Sequence, residues 1–266
     1  MILNPKKRYL QIALNSNLKE ASQVIRELPV SDRIIIEAGT PLIKEYGYSA
    51  ISNLRSYWYL KTKPEKEKTQ QVVNEKGRLD LFALIQLGAK AYKNRNKKEK
   101  VKDKEGVEPY IIADLKCMDR GDREVEIAAR HGASAATVLG AAPPETINSF
   151  IEECNKRGID SMVDMMNIEF PFQVLQNLKE KPNVIILHRG VDEERFNPEK
   201  RIPLEHIRKI KGTYNNILIS VAGGDTIREV QRAVFNDADI VVVWKEFYEK
   251  SAKTSELARN FLKKIK

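Results

Sequence analysis

The chain has 266 residues, 42% of them hydrophobic and 31% charged, with a formal net charge of +9. No apolar run approaches the ~20 residues of a membrane span. Its two cysteines, Cys117 and Cys154, exclude a disulfide framework and a cysteine zinc site.

The opening Met1-Ile-Leu-Asn-Pro-Lys-Lys-Arg runs into an apolar strand without the long apolar core of a signal peptide, so a cytoplasmic location is expected. Arg8 to Leu14 reads as a first strand and Leu18 to Leu28 as a helix. Ile34 to Glu37 is a second strand, ending in Ala-Gly-Thr-Pro, with a helix around Ile51 to Tyr59. Strand three is Tyr110 to Asp114, followed by a helix from Gly121. Strands four to eight are predicted at 135–139, 161–164, 183–188, 216–221 and 239–243. Each is short, rich in Val, Ile and Leu, and separated from the next by helical patterning. Continuous apolar strands alternating with helices indicate a parallel sheet covered on both faces. Eight such units in roughly 220 residues match a single (β/α)8 TIM barrel over 1–266 better than an open sheet.

One segment interrupts this beat. Between Lys61 and Lys104 stand 14 Lys and Arg against 6 Asp and Glu, leaving the rest of the chain nearly neutral. Residues 61–104 are therefore predicted to be a basic, partly helical insertion between strands two and three. Leu79, Phe82, Leu84, Ile85 and Leu87 suit one amphipathic helix between charged arms. Such a run is either a solvated surface or a patch that gathers RNA or an acidic partner.

The strand ends carry the chemistry. They offer Asn15, Glu37, Asp114 with Lys116, Gly140, Asp164, His188, Ala222-Gly223-Gly224 and Trp244-Lys245. In a barrel of this kind, polar groups at the C-terminal ends of strands form the catalytic face. Taken singly, Asp114 and Asp164 would also serve as helix N-caps, and Asp114, Lys116 and Asp119 would also make a surface ion-pair cluster. Their convergence on one face favours a site. There a carboxylate holds either a metal or the lysine, and the lysine stabilises a developing anion.

Glu37-Ala-Gly-Thr-Pro-Leu-Ile-Lys, Ala113-Asp-Leu-Lys-Cys-Met-Asp119, Thr137-Val-Leu-Gly-Ala, Glu145-Thr-Ile and Val221-Ala-Gly-Gly resemble the 3-hexulose-6-phosphate synthase branch of the orotidine 5'-monophosphate decarboxylase suprafamily. Asp164, Val191 and Ala222 stand where the related 3-keto-L-gulonate-6-phosphate decarboxylases have Glu, Arg and Thr. The resemblance implies a lyase that condenses formaldehyde with D-ribulose 5-phosphate through an enediolate, or reverses that reaction. It implies Mg²⁺ on Glu37 and Asp114, an enediolate held by Lys116, a proton shuttled by His188, and Asp164 among the catalytic residues. It also implies a homodimer in which Asp119 reaches the partner's site. Asn15, Ala222, Gly223, Gly224 and Lys245 are the expected contacts to the sugar phosphate. Two positions depart from the pattern. Asn15 replaces the usual Asp of strand one, and Trp244-Lys245 replaces the Gly-Arg that holds phosphate after strand eight. A barrel with changed or lapsed activity, binding RNA or an acidic partner through its insertion, is the alternative.

Overall fold

The computed structural model describes residues 1–62, 106–223, 226–244 and 254–265. Eight parallel strands close into a barrel in sequence order. They are β1 (Tyr9–Leu14), β2 (Ile34–Ala38), β3 (Tyr110–Cys117), β4 (Ala135–Leu139), β5 (Asp160–Asp164), β6 (Val184–His188), β7 (Leu218–Ala222) and β8 (Ile240–Val243). Closure is made by β8 beside β1, with Tyr9 opposite Ile240 and Ile12 opposite Val243.

Helices cover the outside: α1 (Leu18–Glu27), α2 (Thr40–Tyr46), α3 (Ser49–Thr62), α4 (Gly121–Arg130), α5 (Pro144–Arg157), α6 (Pro171–Gln176), α7 (Val191–Phe196), α8 (His206–Thr213), α9 (Ile227–Phe235) and α10 (Thr254–Lys264). Local chemistry sets their ends. The Asn17 side chain accepts the Glu20 amide at 3.0 Å to start α1, and Thr226 with Glu229 forms a capping box on α9. None of these helices is long and apolar enough to cross a membrane, among the described residues.

The period-two alternation of the strands divides the core. Outward residues such as Leu10, Ile12, Ile36, Val163 and Ile219 pack against the helices, with Trp58 of α3 wholly buried among them. Inward residues, including Tyr9, Ile35, Ile112, Met162, Val184 and Ile240, fill the barrel. Leu3 joins this inner cluster from below. Asp160, buried at the start of β5, accepts the Ile2 amide at 2.8 Å, the Leu3 amide at 3.1 Å and the Tyr110 hydroxyl at 2.8 Å. The lower end is thus closed by apolar side chains around one satisfied carboxylate, and polar inward residues are left to the upper end.

Strand three departs from the sequence reading. It continues past Asp114 to Cys117, and its register against β4 slips between Ala113 and Cys117. Within this bulge Lys116 takes a left-handed backbone, φ 47°. The segment expected to begin an insertion at Lys61 starts inside α3, which runs to Thr62. The rest of that insertion, on which an amphipathic helix and an RNA or acidic partner were expected, lies outside the described residues, as do Gly224 and Lys245.

Candidate active site

The upper mouth of the barrel opens into a cavity of about 610 Å³. Asn15, Glu37, Asp114, Lys116, Asp164, His188, Ala222 and Gly223 all line it, as do Gln11, Thr137 and Trp244. A cavity of similar size between α9 and the outer face of β7 and β8 shares only Arg189 with it, and contains none of the acid–base groups.

Asp114 is the most heavily engaged group. Its Oδ1 accepts the Thr137 hydroxyl at 2.9 Å and its Oδ2 accepts the Thr40 hydroxyl at 2.8 Å. Lys116 Nζ reaches both oxygens, at 3.1 and 3.0 Å. The same ammonium stands 3.3 Å from Asp164 Oδ2. That oxygen also meets His188 Nδ1 at 2.8 Å, while Asp164 Oδ1 accepts the Met166 amide at 2.9 Å. Carboxylate, ammonium, carboxylate and imidazole therefore form one continuous chain across β3, β5 and β6. A left-handed lysine costs roughly 1–2 kcal/mol, and hydrogen bonds to charged groups contribute about 1.5–3 kcal/mol each. The two carboxylates outweigh the strain and hold the bulge.

These contacts set the charges. Burial alone would lower the Lys116 ammonium, but Asp114, Asp164 and Glu37 outweigh it and hold it well above the usual lysine range. Burial would likewise raise Asp164, yet His188 and Lys116 keep that carboxyl below its ordinary value. For His188 burial pulls downward and Asp164 pulls harder upward, leaving the imidazole above its ordinary 6.5. With Nδ1 facing Asp164, the other ring nitrogen, Nε2, points away from that carboxylate.

Glu37 differs from the rest. Burial first, and then the Asp114 charge, push its carboxyl up to about 7. Its Oε2 accepts the Gln11 amide, whose own Oε1 is buried without a partner. Two hard carboxylates with surplus negative charge, beside an orphaned amide oxygen, fit a divalent cation of the Mg²⁺ class. Among the described residues no group of three or more His, Cys, Asp or Glu converges as a metal site. Such a cation would therefore rely on water and ligand oxygens for its remaining positions, as Mg²⁺ commonly does.

Two glycines shape the walls. A Cβ on Gly39 would lie 1.8 Å from Asn15 Oδ1, so the bare backbone lets Asn15 lie against it. Gly223, at φ +96°, would bring a Cβ within 2.3 Å of the Arg189 carbonyl oxygen. Neither Asp114 nor Asp164 is the N-cap of the helix after its own strand, and both face the cavity; Asp114 Oδ2 also accepts the Thr40 amide, at the start of α2, at 3.4 Å. Asp119 is exposed, accepts the Arg120 amide at 2.8 Å, and does not line the cavity of its own chain.

Gln11, Thr40 and Thr137 were not among the residues expected here. Gln11 is the one polar residue inside Tyr9–Leu14, and Thr137 the one inside Ala135–Leu139. A lone polar residue at an inward position of a buried strand was the signal that would have found both.

A family model described as "Orotidine 5'-phosphate decarboxylase / HUMPS family" matches residues 64–259. A bifunctional enzyme Fae/Hps of Methanocella arvoryzae is 34% identical over 262 residues, covering 97% of this chain and 53% of the relative. The chain thus spans about half the length of that relative. Among solved structures, 3-hexulose-6-phosphate synthase from Salmonella typhimurium superposes with a TM-score of 0.68 at 23% identity, covering 97% of this chain and 98% of the other. A 3-keto-L-gulonate-6-phosphate decarboxylase from Vibrio cholerae gives 0.66 at 18% identity, covering 98% and 100%. These two likenesses bear on the fold.

Proposed function

The chain belongs to the orotidine 5'-phosphate decarboxylase / HUMPS family, and from that premise we propose that it is a Mg²⁺-dependent aldehyde-lyase of the 3-hexulose-6-phosphate synthase type. It joins formaldehyde to C1 of D-ribulose 5-phosphate, or runs the reverse cleavage. The observation that carries this reading is the unbroken chain Asp114–Lys116–Asp164–His188 along one wall of a cavity that also contains Glu37.

In the forward direction His188 takes a proton from C1 of the ketose, and the resulting enediolate carries its charge on two oxygens. Lys116, held as an ammonium by neighbouring carboxylates, would stabilise that charge. The nucleophilic carbon then attacks formaldehyde, and the new alkoxide takes the proton back from the imidazolium. Asp164 fixes the ring and favours its charged form in the interval. Glu37 and Asp114 are the residues that would hold Mg²⁺, which supplies Lewis-acid polarisation of substrate oxygens when bound. Lys116 has Asp164 as a second carboxylate partner, so a cation on Asp114 would not leave the ammonium without a counter-charge. Asn15, Ala222 and Gly223 would contact the sugar phosphate. Asp119, outside its own cavity, would act across the interface of a homodimer.

A second reading draws on Trp244, whose side chain lines the same cavity. It favours another sugar phosphate, bound with its phosphate away from β8. Incubation with ¹³C-formaldehyde, ribulose 5-phosphate and Mg²⁺ separates the two. The first reading expects a ¹³C-labelled six-carbon ketose phosphate, and absence of that product at high enzyme concentration overturns it.

A further inference from the structure

We propose that Thr137 is a positioning residue for this site: its hydroxyl locks Asp114 and the backbone of Lys116 into one rigid ring. The inference rests on the function proposed above and extends it to a residue that neither supplies charge nor moves a proton.

The bulge in β3 takes the Lys116 amide out of the regular ladder with β4. The Thr137 hydroxyl oxygen accepts that amide at 3.1 Å, and the same hydroxyl donates to Asp114 Oδ1 at 2.9 Å. One O–H is thereby used in both senses, which fixes its orientation. The Lys116 side chain then returns to Asp114, at 3.1 and 3.0 Å from its two oxygens. A closed ring results: Asp114 carboxylate, Thr137 hydroxyl, Lys116 amide, Lys116 ammonium. Thr137 is 2% exposed, so its hydroxyl is committed to these two partners rather than to bulk solvent. The Thr40 hydroxyl holds the other Asp114 oxygen at 2.8 Å and the Asp114 carbonyl at 2.8 Å, so both of these contacts are to Asp114. Among the described residues, Thr137 is the side chain that bonds both the Asp114 carboxylate and the left-handed backbone, φ 47°, that aims the ammonium.

A hydroxyl that merely satisfied a stray amide would affect folding and leave the chemistry alone. A positioning hydroxyl affects turnover and metal affinity and leaves ribulose 5-phosphate affinity nearly intact, since it lies beneath the reacting groups. Two variants separate these cases. Thr137→Val keeps the shape and loses the O–H, while Thr137→Ser keeps the O–H and loses a methyl. The valine variant should lose roughly 10–100-fold in kcat, the range for groups that orient metal ligands, with KM for ribulose 5-phosphate changed by less than about threefold. Serine should restore kcat to within about threefold. Binding of Mn²⁺ alone, followed by electron paramagnetic resonance, should weaken in the valine variant and recover in the serine one. Should valine impair folding, Thr137→Ala, smaller in every direction, should give the same split. Wild-type kcat and Mn²⁺ affinity in the valine variant, or equal losses in valine and serine, would overturn the proposal. If the wild type lacks synthase activity, the functional reading fails, and Mn²⁺ binding still decides the part played by Thr137.

Discussion

Asp164 Oδ2 lies 2.8 Å from His188 Nδ1, and the carboxylate is 1% exposed. Two consequences follow from this pair. The ring is fixed with one nitrogen committed to Asp164, and its protonated form is favoured by a charge that solvent does not screen.

Asp164→Asn should reverse both. Without the carboxylate, burial dominates and the imidazole pKa falls, so the His188 limb of kcat/KM against pH should move to lower pH. The imidazolium formed in turnover also loses its partner, and kcat should drop on the order of 10²-fold or more. A pH profile across the neutral range checks the direction. A limb that stays in place means that His188 is not the group being titrated.

Lys116→Ala tests the second link. Removing one stabiliser of developing negative charge should lower kcat by ~10²-fold or more. The fold should weaken too, because buried Asp114 loses its ammonium and Asp164 keeps only His188. Unchanged kcat would reduce Lys116 to an ion-pair partner.

Glu37 makes stability depend on pH and metal together. Its folded pKa, about 7, lies above the ordinary 4.5. The sign is that of a raised acid: the folded state prefers the proton, so this contribution to stability is lost as pH rises from the ordinary value through about 7. Mg²⁺ should offset the loss, and should raise Tm more at about pH 8 than at about pH 5.5. Glu37→Gln should flatten the pH dependence and weaken the Mg²⁺ effect. Equal metal shifts at both pH values would remove Glu37 from the metal site.

Trp244 occupies the position where the resembling enzymes have a glycine, and it lines the cavity. If phosphate docks beside β8, Trp244→Gly with Lys245→Arg should tighten the phosphorylated substrate by about tenfold, ~1.4 kcal/mol, by restoring a bidentate fork. Calorimetric titration reads this directly. Weaker binding would put the phosphate elsewhere in the mouth.

The barrel was legible because each strand is a short apolar run and the alternation with helices repeats eight times. The strand ends were legible for the same reason: Glu37, Asp164 and His188 fall where the apolar runs stop. The bulge was not. Nothing in Ala-Asp-Leu-Lys-Cys announces a lysine at φ 47°, since that backbone depends on Thr137 and Asp114, which are distant or buried partners. The N-cap alternative for Asp114 and Asp164 could not be dismissed from sequence. It fell when the helices after β3 and β5 proved to have Arg120 and Phe170 at their N-caps, and both carboxylates lined one cavity. Gln11 and Thr137 were readable from the period-two pattern, but chemistry-bearing residue types drew attention to the strand ends instead.

Abstraction of the C1 proton is the step on which the account depends most, and it can be seen without the aldol step. Ribulose 5-phosphate incubated with the Mg²⁺-loaded protein in D₂O, with no formaldehyde, should lose one C1 hydrogen signal in the proton spectrum. The exchange should slow on the order of 10²-fold or more in both His188→Gln and Lys116→Ala. Retention of both C1 hydrogens by the wild type, at enzyme concentrations that bind the substrate, would contradict an enediolate mechanism at this site.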